Sequence, residues 1–217
     1  MAMPTETQIL TLAQWFSPAY PVGAFAYSHG LEWAVDAGDV GDAKTTQAWI
    51  SDVLKHGAGW NDCLFISAAY QAASPQDLTC INDMSLALSA SSERMMETRL
   101  QGEAFCGITA SVWTRELAEL SYPVVVGRAA NLVDLPLRLT TQFYLHAFMA
   151  NLVAAATRLV PLGQTDGQQM IRDLTPRCQA IAGAALSTDL SQLASTAFLS
   201  DIAAMKHETQ YSRMFRT

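Results

Sequence analysis

Apolar residues fall at helical spacing in one segment after another, and the residues between segments are those that start and stop helices. Thr5 and Gln8 fit a capping box opening a short helix with Ile9, Leu10, Leu12, Ala13 and Phe16 as its apolar positions, ended by Pro18. Residues 31–37 read as a helix stopped by Gly38, with Trp33 and Val35 as buried candidates. Asp42 caps a helix to about 56, with Trp49, Ile50, Val53 and Leu54 on one stripe. Asn61 caps another through 73, and Ser74-Pro75 begins one that continues to about 88. Ser92 opens the longest predicted helix, through 120. It carries Glu93, Arg94, Glu97, Arg99, Glu103, Arg115 and Glu116. On it Glu93–Glu97 is a like-charged pair, Arg99–Glu103 an opposed one, and Gly102 and Gly107 each cost about 1 kcal/mol of helicity relative to alanine.

The one β-like run, 122–127, is too isolated to build a sheet. Pro123 suits a first helical turn with the valines buried. A strongly apolar helix runs from Pro136 to about 160. Between Arg138 and Arg158 it holds no Asp, Glu, Lys or Arg, which brushes the length needed to cross a membrane. Thr140, Thr141, Gln142, Asn151 and Thr157 interrupt it, so a core or dimer-interface helix is the better reading. Thr165 or Asp166 caps a helix from about 168 to 185, and residues 187–189 restart a helix towards the C-terminal end. With no repeat or low-complexity linker, the pattern predicts an all-α fold. It is one globular bundle of roughly ten helices without a sheet, a single domain over 1–217.

The exception is 17–30, a turn-rich loop with two prolines and two glycines. Its Tyr20, Phe25 and Tyr27 need burial, either across the body or in a recognition surface.

Composition changes this picture in one direction. Half the residues are hydrophobic and 15% charged, against a usual charged fraction near 25%. A surface so poor in charge must carry apolar area or be covered, which points to an oligomer or complex subunit. A net charge of −7 and a pI near 4.9 disfavour nucleic acid. Cys63, Cys80, Cys106 and Cys178 are far apart in apolar helical surroundings, and read as reduced small hydrophobes. No basic stretch followed by an apolar one opens the chain, so the cytoplasm is the default.

Catalytic motifs are not found. There is no P-loop, G-x-G-x-x-G, H-E-x-x-H or G-x-S-x-G. His56 at a helix end favours the dipole, and His146 reads as a core or interface donor. His29 and His207, beside Glu208, are the two worth testing for metal, although metal sites need several converging ligands. An all-α metal- or cofactor-binding enzyme using His29, His146 and Glu32 is one alternative. A membrane-associated helical protein built on 139–157 is another.

The chain's last segment, 207–217, stands apart. It crowds His207, Glu208, Thr209, Gln210, Tyr211, Ser212, Arg213, Phe215 and Arg216 together with no glycine or proline. Such a segment either folds back on its own body or is gripped by another surface, since Arg and Tyr are enriched at hot spots.

Three stretches then bring in a family. Residues 22–34 (VGAFAYSHGLEWA), 161–164 (PLGQ) and 207–216 (HETQYSRMFR) resemble the urease accessory protein UreF family, in the family's order and across nearly the whole chain. The resemblance implies an all-α, homodimeric, non-enzymatic assembly factor of the cytoplasm, with no cofactor of its own. It implies joining a UreD-type (also called UreH-type) accessory protein and recruiting the UreG-type GTPase. That complex would act on urease apoprotein, inserting nickel into a carbamylated-lysine site. Carried over by position, His207 to Arg216 would dock on the UreD-type partner and help form the UreG-binding surface. Ala26 and His29 depart from the family's usual Ser and Gln.

Overall fold

The structure, a computed structural model, describes residues 3–114 and 116–217. Its helices are α1 (Glu6–Trp15), α2 (Leu31–Asp36), α3 (Ala43–His56), α4 (Ala58–Gln71), α5 (Pro75–Ala87), α6 (Ser92–Val112), α7 (Tyr122–Leu132), α8 (Leu137–Leu159), α9 (Gln164–Ala185) and α10 (Phe198–His207). The fold is all-α, with no strand among the described residues. Local capping sets several starts. The Thr5 and Gln8 side chains cap each other's backbone N–H. Asp42 accepts from the Thr45 N–H at 2.7 Å. Ser74 accepts from Asp77 at 3.1 Å, with Pro75 in the first turn.

Where tertiary contacts decide a boundary, the structure corrects the sequence. Helix α4 starts at Ala58, so Asn61 is no cap. Its amide instead donates to the Ala194 carbonyl (2.8 Å) and accepts from the Ala194 N–H (3.1 Å). Helix α6 stops at Val112, short of the predicted 120. The chain turns back so that the Leu120 carbonyl lies 2.0 Å from where a Gly102 Cβ would be, and Leu117 is buried. Arg115 lies outside the described residues. The Arg99–Glu103 pair is not formed. Among the described residues neither side chain has an ionic partner. Helix α9 begins at Gln164 because Asp166 accepts from the Gly163 N–H at 3.0 Å. The helix predicted from 187–189 is a single 3-10 turn, Leu190–Gln192. Helix α10 starts only after the Thr196 and Ala197 N–H groups have bonded the His56 carbonyl.

Helices α4 and α8 are the spine. On one side Ile50 and Leu54 of α3, Leu145, Met149 and Leu152 of α8, and Leu174 and Cys178 of α9 form one core. It continues to Phe215. On the other, Leu12 and Trp15 of α1, Phe105 of α6, Val125, Val126 and Ala129 of α7, and Tyr144 of α8 form a second. The apolar length of α8 is thus spent on packing. No helix among the described residues is long and apolar enough to cross a membrane. Cys63, Cys106 and Cys178 are buried as predicted, but Cys80 is exposed on α5.

In the loop, Tyr20 and Tyr27 are buried whereas Phe25 stands 73% exposed, against the expectation that all three bury. Asn151 donates to the Ala24 carbonyl (2.7 Å) and Arg158 to that of Phe25 (3.3 Å), so the backbone under Phe25 is fixed. Gly30 ends the loop at φ 76°. A Cβ there would lie 2.6 Å from the Ala204 N, so only glycine lets α2 and α10 come this close.

Candidate functional site: the C-terminal segment and the carboxylates that hold it

Gly30 sets the start of α2 against α10, which puts Glu32 in the first turn of α2 opposite the chain's last residues. The Glu32 carboxylate is 8% exposed. Its Oε1 accepts from the Met214 N–H (2.6 Å), and its Oε2 from the Phe215 N–H (2.8 Å) and His207 Nε2 (3.2 Å). His207, the last residue of α10, is fully buried. Its other nitrogen, Nδ1, meets Glu93 Oε2 at 2.7 Å. A ring with hydrogen on both nitrogens satisfies both carboxylates, while one with a single hydrogen leaves one contact acceptor against acceptor. Arg213 Nη1 donates to Glu93 Oε1 at 2.5 Å. Glu208 caps α6: its Oε1 accepts from the Ser92 N–H (2.7 Å) and hydroxyl (2.6 Å), a favourable anion at a helix N-terminus. The Ser92 hydroxyl bond, burial opposing it, holds the Glu208 carboxyl below its ordinary range.

Beneath this lies Glu97, one α6 turn on. It accepts from Gln101 (3.0 Å), Arg94 and the Thr217 hydroxyl (2.9 Å), and lies 2.9 Å from His29 Nε2, which Arg94 Nη1 also meets at 2.9 Å. Burial alone would raise its carboxyl, but Arg94 and His29 outweigh that and hold it down at about 2. Burial lowers His29, Arg94 adds to this, and Glu97 opposes. Glu93 and Glu97, which as an i,i+4 pair would repel, are paired with Arg213 and Arg94 respectively. The end of the chain is also tied to the loop. The Ser28 N–H donates to the Thr217 carbonyl (2.9 Å) and the Arg216 N–H to the Ala26 carbonyl (2.8 Å), while Arg158 stacks 4.4 Å over the Phe215 ring.

The nine predicted residues therefore divide. His207 and Phe215 are buried against the chain's own body and hold the segment in place. Glu208 faces α6 through its carboxylate. Gln210 is half-buried, with an unpaired Oε1. Thr209, Tyr211, Ser212, Arg213 and Arg216 are exposed, Tyr211 completely. Beside them are Phe198, Leu199, Ile202 and Met205 on the outer side of α10, and Met214, all exposed. Sequence reasoning missed this α10 face. Its signal was present in the apolar residues 198, 199, 202 and 205, spaced along one side of a short helix.

The residues of the enzyme alternative do not all converge: His29 and His146 line one cavity, but Glu32 is not part of its lining. Both Glu32 oxygens serve the C-terminal segment, and His29 is engaged by Glu97 and packs edge-on against Phe148 at 4.7 Å. His146 is exposed, which excludes the core half of its core-or-interface reading, and stands on the wall of that cavity, of about 650 Å³. The His207 carboxylates bind opposite ring nitrogens, so they do not meet at one point. Among the described residues no three His, Cys, Asp or Glu are grouped to hold a metal ion.

An all-α body that fixes its own last residues with buried carboxylates, and leaves aromatic, arginine and apolar side chains outside them, has the form of an interaction protein. The family model UreF matches residues 40–175. The chain is 81% identical over 217 residues to a "Urease accessory protein UreF" of Ruegeria pomeroyi, covering all of both chains. A second relative of that name, from Ruegeria sp. (strain TM1040), is 50% identical over 98% of this chain and all of its own. A third, from Roseobacter denitrificans, is 49% identical over 96% of this chain and 93% of its own. The chain belongs to the UreF family.

Proposed function

We propose that this protein is a urease accessory factor that acts by assembly and not by catalysis. In this reading the chain works as one unit over 1–217, as a homodimer in the cytoplasm, without nucleic acid, membrane or cofactor. It joins a UreD-type (UreH-type) protein and the UreG-type GTPase on urease apoprotein, so that nickel, the cargo, is incorporated in a GTP-dependent step. The observation that carries the reading is the geometry of 207–217. His207 and Phe215 pin the segment from inside, so Tyr211, Arg213 and Arg216 are held at fixed places on the surface beside the apolar face of α10. Bonds to Glu32, Glu93 and Glu97 hold this segment's backbone and so lower the entropy cost of ordering it on binding. Arg213 and Arg216 suit carboxylates on a partner, and Tyr211 and Met214 an apolar pocket. The fixed, exposed Phe25 lies on the same loop that binds Arg216, so it extends this surface.

The test is co-expression with UreD- and UreG-type proteins and urease apoprotein. The full chain is expected to give a stable complex and active urease, and a chain lacking 207–217 neither. A truncated chain that recruits both partners and activates urease would refute the assignment.

A further inference from the structure

Of the four histidines, only His207 has no exposed surface. Its two ring nitrogens face two different carboxylates, Nδ1 at 2.7 Å from Glu93 Oε2 and Nε2 at 3.2 Å from Glu32 Oε2. A carboxylate oxygen only accepts, so each contact needs a hydrogen on the nitrogen facing it, and a ring with both hydrogens is an imidazolium. The charges around it come from every element packed there. Glu32 stands on α2 and Glu93 on α6, and Arg213 of the segment itself pairs with the other oxygen of Glu93. Glu97, one turn further along α6, is engaged by Arg94 and the Thr217 hydroxyl, with His29 beside it. The sequence neighbours Lys206 and Glu208 are exposed, and Glu208 turns to the start of α6. With the ring charged, two carboxylates meet two cations. Without its second proton, one buried oxygen is left against a nitrogen lone pair, which is costly away from water.

We infer that His207 is a proton-dependent latch on residues 208–217: the doubly protonated ring holds the segment shut, and loss of one proton opens it. The inference rests on the partner contact in the proposed function and adds its regulation. Nδ1 makes the shorter contact, so the proton that leaves to water is the one on Nε2. Glu32 is then the carboxylate turned against a lone pair. The same carboxylate carries the Met214 and Phe215 N–H groups, so its displacement loosens the two amides that fix the outer side chains of the segment. Glu93 keeps both the Nδ1 hydrogen and Arg213. A proton held in the closed form and shed in the open one makes closure strongest in mild acid and weaker as pH rises. Through this one ring, pH sets whether Tyr211, Arg213 and Arg216 are presented at fixed places.

Heteronuclear NMR of the full chain from about pH 5 to about pH 9 brackets the ordinary histidine value of about 6.5. Both His207 ring nitrogens are expected to carry hydrogen at the acid end, and their titration should coincide with a loss of protection at the Met214 and Phe215 amides. Corrected for intrinsic exchange, that protection should fall at least about tenfold, the scale of a buried hydrogen bond lost. The Leu145 and Leu152 amides of α8 should keep theirs. Glu93→Gln should hold the latch shut at high pH, because an amide there donates to a bare Nδ1 and still accepts from Arg213, leaving the single ring hydrogen for Glu32. A merely structural loss of Glu93 would instead loosen the segment at every pH. A ring that titrates without any step at Met214 and Phe215, or a step that persists in Glu93→Gln, overturns the inference. Calorimetric affinity for a UreD-type protein should follow the same step in wild type and lack it in Glu93→Gln. A latch that opens while affinity is undiminished keeps the inference and refutes the segment as the partner contact, so the two readings fail separately.

Discussion

The body and the C-terminal segment of this protein are held by opposite kinds of force. Around α8, many small, non-directional contacts bury Leu145, Met149 and Leu152 in one core and Tyr144 in the other. Around 207–217, carboxylate oxygens on Glu32, Glu93 and Glu97 hold His207, Arg213, Met214, Phe215 and Thr217, beside the bonds that Glu208, Arg216 and Thr217 make to Ser92, Ala26 and Ser28. Apolar packing degrades gradually, since a truncated side chain loses only its own contacts. A segment hung on three acceptors fails together, because removing one leaves several buried donors unpaired. The difference teaches that the stability of the body and the order of the C-terminal segment can be separated by mutation.

The largest effect on stability is expected in the body. Leu152→Ala, at a buried α8 position, should cost about 2–5 kcal/mol and lower the melting temperature of the whole molecule. Partner binding per folded molecule should be unchanged. Glu32→Ala makes the reverse case. It strips the acceptor from the Met214 and Phe215 N–H groups and from His207, and should cost about 1–3 kcal/mol, mostly by releasing 208–217. Hydrogen exchange should show those amides losing protection while α8 keeps its own. Equal loss of protection in both regions would show that the two are not separable.

Acid sharpens the contrast, because each region holds one strongly displaced carboxyl. Glu97, under the C-terminal segment, sits at about 2 against an ordinary 4.5. A depressed carboxyl contributes stability that is complete above the unfolded value and is lost as pH falls from 4.5 towards 2. The melting-temperature advantage of wild type over Glu97→Gln should therefore be full at pH 5 and shrink on acidification. Asp62 in α4 is the opposite. Burial raises it to about 6, against a hydrogen bond from Tyr144 at 2.7 Å that lowers it. Its ionised form is disfavoured in the fold, a cost absent below 3.8 and complete above 6. Asp62→Asn should gain on wild type as pH rises from 4 to 7. A flat difference for either variant would contradict the assigned cause.

The sequence made legible what is decided locally. The Thr5–Gln8 and Asp42 caps and the Ser74-Pro75 start stand where the residues put them, because each is closed within one helical turn. The all-α class follows from periodicity, and the core half of the core-or-interface reading of α8 from an uncharged apolar run interrupted by polar residues. Boundaries set across the fold were not legible. Nothing near 112 says that α6 must end there, since the cause is the approach of the Leu120 backbone to Gly102. The unusual composition of 207–217 was visible, but not its anchors. Phe215 bonds Glu32 across 183 positions, and His207 bonds Glu93 across 114. Glu32 was singled out for chemistry and instead holds backbone amides, a role no one-dimensional pattern displays. Folding back and being gripped were posed as alternatives for this segment. The structure shows the first, in a form that leaves the side chains needed for the second outside.

Tyr211 gives the smallest stability effect and the most direct reading of that outer side. Its side chain is fully exposed and bonds nothing in the chain, so Tyr211→Ala should change stability by less than about 0.5 kcal/mol. If the segment is a partner contact, the same change removes a fixed aromatic anchor. Affinity for a UreD-type protein should then fall at least about tenfold, the scale of a hot-spot side chain. Glu32→Ala should produce a comparable loss for a different reason, by unfixing an anchor that is still present. Combining the two separates these causes. Once Glu32 is gone, removing Tyr211 should add much less than it does alone, since both act through one ordered surface. Calorimetric titration of the four proteins measures this directly. Additive losses would mean that Tyr211 binds independently of the carboxylates that hold the segment.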